Sequence, residues 1–113
     1  MSSDTEVIPY NDPLMAHVAD VSGWADDTPG FERRGIRITF RNGLTLSAVQ
    51  GKYIYNDNDS WEIAVIENFN TDGIPGLMHI AGWGDTVCGY QTMSDIRAFA
   101  WRIALEGRKL TGE

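Results

Sequence analysis

The chain has 113 residues, of which 22% are charged and 11% aromatic, and its net charge is −7. That length suits a single domain, 1–113, with its own core. Its apolar runs are far shorter than the ~18 residues of a membrane helix, and one cysteine, Cys88, makes neither an internal disulfide nor a zinc site.

The first 30 residues contain no Lys or Arg. They therefore lack the basic start of a secretory signal, and a reducing cytoplasm is the expected setting. Residues 1–8 are polar and read as a frayed end. A short helix is expected next, with Asp12 as N-cap, Pro13 at the first helical position, and Leu14, Val18 and Val21 on one face up to Gly23. An acidic loop is the other reading of the same residues. Asp26-Asp27-Thr28-Pro29-Gly30 predicts a turn.

Residues 35–50 predict a hairpin. Ile36, Ile38 and Phe40 alternate with Arg37, Thr39 and Arg41, and Leu44, Leu46 and Ala48 alternate with Thr45, Ser47 and Val49. Residues opposite each other in a hairpin share a face. A two-residue loop would pair Phe40 with Thr45 and mix the faces. A three-residue loop, Arg41-Asn42-Gly43, pairs Phe40 with Leu44, Ile38 with Leu46 and Ile36 with Ala48, so Gly43 is expected in the left-handed position of a type I turn plus bulge.

A third strand is predicted at about residues 61–68, with Trp61, Ile63 and Val65 on one side. A fourth follows at about residues 76–82, with Met78 and Ile80 opposite Leu77, His79 and Ala81. Asn56 to Ser60 and Asn70-Thr71-Asp72-Gly73 read as loops, and the stretch around Trp83, Asp85 and Cys88 as irregular. A C-terminal helix closes the chain, capped by Thr92 or Ser94 with Asp95 in its first turn. Ile96, Phe99, Ala100, Ile103 and Leu110 form the stripe that should pack on the sheet. A second strip, Trp101 with Ala98 and Leu105, lies between Arg97 and Arg108 on one side and Arg102 and Lys109 on the other. The expected fold class is α+β: a four-stranded antiparallel β-meander over about residues 35–82 with the helix packed on one face. An acidic N-terminal segment, 1–32, wraps an edge or the outer side of the helix.

The run Gly35-Ile36-Arg37-Ile38-Thr39-Phe40-Arg41-Asn42-Gly43-Leu44-Thr45-Leu46-Ser47, with the later Gly89-Tyr90-Gln91-Thr92, resembles small uncharacterised proteins of tailed phages and prophages. In those, a strand with an Asn-Gly turn precedes a late Gly-aromatic-Gln-Thr step into a final helix. The resemblance covers about a quarter of the chain. It implies a phage source and a cytoplasmic setting in an infected bacterium, and it transfers no catalytic residues.

Charge falls in blocks. Residues 1–32 hold Asp4, Glu6, Asp12, Asp20, Asp26, Asp27 and Glu32 and no base, whereas residues 33–52 hold Arg33, Arg34, Arg37, Arg41 and Lys52 and no acid. Residues 53–96 hold Asp57, Asp59, Glu62, Glu67, Asp72, Asp85 and Asp95 and no base. Either the blocks neutralise one another within the fold, or they present an acidic face to a basic partner. Direct binding to DNA or RNA is disfavoured in both cases.

No glycine-rich phosphate loop, His-Glu-x-x-His or zinc pattern occurs. Asp57-Asn58-Asp59 fails as a calcium loop, because Trp61 or Glu62 stands where its glycine belongs. Cys88, His79 and Asp85 lack the surroundings of a nucleophile, and Cys88 between Val87 and Gly89 reads as a small buried hydrophobe. Tyr53, Tyr55, Trp61, Trp83 and Tyr90 read first as core and rim, and the alternative reading is the lining of a nucleotide pocket in a ligand-binding module. No enzyme, cofactor or metal is therefore expected.

The leading expectation is a small phage-encoded inhibitor of a bacterial host protein, such as an anti-CRISPR or other anti-defence protein, acting by steric or nucleic-acid-mimicking block. A self-assembling phage component is a further alternative. Partner contacts are expected from Trp101, Leu105, Arg97 and Arg108 on the second helix strip, which could instead be covered by the N-terminal segment or form a homodimer surface. Further contacts are expected from the acids Asp57, Asp59 and Glu62.

Overall fold

In the computed structural model the described residues are 11–30, 32–51, 60–69 and 73–112. A 3₁₀ helix, Pro13–His17, leads into β1 (Val18–Asp26), β2 (Arg33–Phe40), β3 (Leu44–Gly51) and β4 (Trp61–Glu67). Two short strands follow, β5 (Gly76–Leu77) and β6 (Val87–Gln91), then helix α1 (Met93–Glu106) and a final 3₁₀ turn, Gly107–Thr111. All strands belong to one antiparallel sheet in the order β1-β2-β3-β4, with β5 and β6 both paired to β4. The fold is α+β. The sheet has six strands rather than the expected four, because β1 and β6 join it.

The central hairpin sets the frame. Ile36 lies opposite Ala48, Ile38 opposite Leu46 and Thr39 opposite Thr45, the pairing that a three-residue loop demands. Gly43 has φ +92° and its N–H donates to the Phe40 carbonyl at 3.0 Å. Ile36, Ile38, Phe40, Leu44, Leu46, Ala48, Trp61, Ile63 and Val65 form one buried face, and α1 covers it with Ile96, Phe99, Ala100 and Ile103. Leu110, Met78 and Ile80 are buried in the same core, but the fourth strand expected at about residues 76–82 is corrected: β5 ends at Leu77, and Met78 and Ile80 reach the core from the irregular chain beyond it. Asn42, at the tip of the β2–β3 turn, donates from Nδ2 to the Ile103 carbonyl at 2.9 Å, while its Oδ1 accepts from the Leu44 N–H. One side chain thus closes the turn and satisfies a carbonyl in the last turn of α1.

The N-terminal expectation is corrected. Asp12 caps and Pro13 leads a helix as foreseen, with Asp12 Oδ1 accepting from the Leu14 N–H at 2.9 Å. That helix is only one 3₁₀ piece long, and Val18 and Val21 belong to β1. The β-branched valines followed by Ser22-Gly23 favour extended chain over helix. Leu14, Val18 and Val21 fit one helical face, while in the structure Leu14 belongs to the 3₁₀ helix and the bulge between Val18 and Asp20 puts Val18 and Val21 on one strand face. The acidic segment therefore does two things: residues 12–17 lie beside α1 and β1 extends the sheet along β2. The frayed residues 1–8, the loop at 56–59 and Asn70-Thr71-Asp72 lie outside the described residues.

Strand β6 was read as irregular because its pairing is bulged. Trp61 faces Gln91 and Ile63 faces Cys88, so one extra residue sits on the β6 side. Tyr90 takes it up with φ +58° and turns outward. Thr92 then caps α1, its hydroxyl accepting from the Asp95 N–H while the Asp95 carboxylate accepts from the Thr92 N–H at 2.8 Å, a reciprocal capping box.

Two outcomes are expected. Gly43→Val meets open space at Cβ but a left-handed backbone; it should lower the unfolding free energy by about 1–2 kcal/mol in urea titration. The hydrogen bonds from Thr92 hold the Asp95 carboxyl below its ordinary value. Its contribution is therefore complete above the unfolded pKa and lost as pH falls through the folded one. Asp95→Ala should accordingly lose less stability than wild type on acidification below about pH 4, read by thermal unfolding.

Candidate functional site

Helix α1 presents the predicted strip outward, but much of it is already engaged. Trp101 is half-buried and meets the His17 ring edge-on, with centroids 5.6 Å apart. Arg97 forms an ion pair with Asp12 Oδ2, whose side chain is buried. Arg108 reaches Glu67 on β4 at 2.6 Å, and Arg102 pairs with Glu106 one turn along. Leu105 remains 68% exposed. Of the acids named as partner contacts, Glu62 is half-buried on β4, and Asp57 and Asp59 lie outside the described residues. The structure thus brings Trp101 and Arg97 together under the N-terminal segment and leaves Leu105 as the open part of the strip.

The sheet face away from α1 carries a group that helical periodicity hid. Cross-strand pairing puts Trp24, Arg33, Gly35 and Arg37 on that face. The Trp24 indole lies across Gly35, where a Cβ would come within 2.4 Å of Cε2 and Nε1. The Arg33 and Arg37 guanidinium groups stand 5.8 and 5.7 Å from the Trp24 ring, and Arg37 also stacks on Phe69 at 5.0 Å. These are cation–π distances. Trp24 Nε1 and Arg37 Nε are buried with no hydrogen-bond partner. Strand alternation over Asp20, Ser22, Trp24 and Asp26 was the available signal for this ladder.

At one end of β1 and β2 lies an open recess of about 300 Å³ lined by Ala25, Asp27, Glu32, Arg33, Arg34, Gln50 and Gly51. Arg34 there donates to Gln50 at 2.9 Å and covers the Trp61 ring at 5.1 Å. Asp26 accepts from both the hydroxyl and the N–H of Thr28, which hold its carboxyl below the usual range, and it faces Arg33 at 3.8 Å.

The aromatic residues do not gather round that recess. Trp61 is buried, Trp83 packs on Phe99 at 5.1 Å, Tyr90 is 63% exposed, and Tyr53 and Tyr55 lie outside the described residues. Cys88 packs by Ile63, accepts from Gln91 Nε2 at 3.4 Å, and has its thiol pKa raised by burial and then by Asp95. His79 is exposed, and the Asp85 carboxylate accepts from Thr86. No hydrogen bond or ion pair joins these three side chains. Among the described residues no three His, Cys, Asp or Glu side chains form a metal set, and no helix is long and apolar enough to cross a membrane.

Comparison with known proteins finds no matching family model, no matching curated protein and no matching solved structure.

Gly35→Ala should dislodge the Trp24 indole. The expected result is a changed near-UV circular dichroism spectrum and a loss of about 1–3 kcal/mol, whereas Gly76→Ala, with open space at Cβ, should leave the spectrum unchanged.

Proposed function

We propose that the protein is a small acidic binder of a bacterial host protein: a phage-encoded inhibitor that occupies a basic, nucleic-acid-holding groove of a defence complex such as a CRISPR effector. The observation that carries this reading is the direction of the charges. All seven arginines have partners within the chain. Arg33, Arg97, Arg102 and Arg108 pair with carboxylates. Arg34 and Arg37 lie on aromatic rings, and Arg41 donates to the Ala16 carbonyl at 3.1 Å. Exposed Asp20 and Asp27 have no cation within ion-pair distance among the described residues. The net charge of −7 leaves the chain with an excess of acid, and such a balance disfavours nucleic acid and favours a basic groove. The phage setting and the bacterial cytoplasm rest on the resemblance of the hairpin and of the Gly89–Thr92 step.

Capture from a bacterial lysate on immobilised protein, read by mass spectrometry, tests the reading. One dominant host protein should be held at roughly 50 mM salt and released at roughly 500 mM, because exposed charges are screened over a few ångströms at high salt. Retention indifferent to salt would overturn charge mimicry. An empty capture together with a symmetric oligomer on native mass spectrometry would favour self-assembly instead.

A further inference from the structure

Strand β1 is nine residues long and lies at the edge of the sheet. Its inner edge pairs with β2 in continuous register from Asp20 opposite Thr39 to Asp26 opposite Arg33, the bulge being confined to the Val18 end. No described strand pairs with its outer edge. An edge of this length presents a row of backbone N–H and C=O groups ready for a further strand. Proteins commonly blunt such an edge with charged side chains, lysine above all, with proline or with a mid-strand bulge; β1 contains no lysine or proline, its regular part is unbulged, and the charges it carries are the acids Asp20 and Asp26. Ala19, Ser22, Gly23 and Ala25 are small and exposed, so neither face obstructs an incoming chain.

The opposite edge differs. It is divided between β5, two residues, and β6, five residues with a bulge, and β6 runs directly into the cap of α1. Among the described residues β1 is therefore the one long edge open to pairing.

Charge selects the occupant. Asp20 and Asp27 are exposed at the two ends of the regular stretch, and Asp26 lies beside Asp27. A second copy of this chain would bring two acidic edges together, which like-charge repulsion disfavours. An extended segment bearing lysine or arginine meets complementary charge at both ends of that stretch. We propose that β1 docks a basic, extended segment of a partner protein as an additional antiparallel strand, with backbone hydrogen bonds giving the affinity and Asp20 and Asp27 the preference for basic side chains. This rests on the function proposed above and names the part of the partner that the acidic surface holds.

The test uses the full chain and a fluorescein-labelled peptide, Lys-Val-Lys-Thr-Lys-Val-Lys, together with a version N-methylated on its central backbone amides. The unmodified peptide should bind, and amide hydrogen exchange should slow at alternate residues of Val21–Ala25. The N-methylated peptide should bind at least ten-fold more weakly, as should the unmodified peptide to the D20K/D27K variant. Equal binding of both peptides would overturn strand addition, as would protection confined to other parts of the chain. Because the two-peptide comparison uses the wild-type chain, it decides the matter even where D20K/D27K fails to fold. A folded D20K/D27K variant that still captures the host protein retained by wild type would overturn β1 as the dock and leave the proposed function standing. Absence of capture by wild type would overturn that function, and the peptide pair would then decide the dock alone.

Discussion

The three-residue turn at Arg41-Asn42-Gly43 is the constraint on which the rest of the fold depends. It keeps Ile36, Ile38 and Phe40 in phase with Leu44, Leu46 and Ala48. A one-residue slip would send half of these to solvent. Once the phase is set, β4 adds Trp61, Ile63 and Val65 to the same face, and α1 has a continuous apolar surface to cover. The turn also positions the helix. Asn42 holds the Ile103 carbonyl, and farther on the Ala81 N–H donates to the Leu110 carbonyl at 2.8 Å. Loss of turn geometry would therefore be felt at the far end of the chain as well as in the hairpin.

Acids and bases are laid out by the same sheet. The acidic strand β1 lies against the basic strand β2, so Asp26 meets Arg33 while Arg37 turns onto Trp24 and Phe69. Asp12 holds the N-terminal 3₁₀ helix with one carboxylate oxygen and Arg97 with the other. Burial at that carboxylate makes this pair more consequential than the exposed pairs, whose individual worth is small. The seven arginines are thereby engaged within the chain, and the net charge of −7 gives the molecule its electrostatic character. Internal neutralisation, one of the two readings of the charge blocks, is seen where Asp26 meets Arg33, Asp12 meets Arg97 and Glu67 meets Arg108.

The elements with clean periodicity were legible in the sequence. Alternation over 36–48 fixed the hairpin and its loop length. The stripe Ile96, Phe99, Ala100, Ile103 and Leu110 fixed the buried side of the C-terminal helix. β1 was obscured because Leu14, Val18 and Val21 satisfy a helical spacing, while a bulge interrupts the two-residue alternation that would have betrayed a strand. The bulge at Tyr90 hid β6 in the same way. The helix strip could be read from the sequence, yet its contacts to Asp12, His17 and Glu67 come from residues 41 to 85 positions away in the chain, and only the pairing of β1 with β2 and of β4 with β3 brings them there. The Trp24 ladder needed the β1–β2 register before Arg33 and Arg37 could be seen to flank one ring.

The division of the sheet edge beyond β4 carries a consequence for stoichiometry. Two short, offset strands and an immediate helix cap terminate that side, so an added strand there would find no continuous template. Among the described residues the sheet therefore offers one continuous template, the outer edge of β1. Were an extended chain to add there, this part of the molecule would hold one such chain directly and not two.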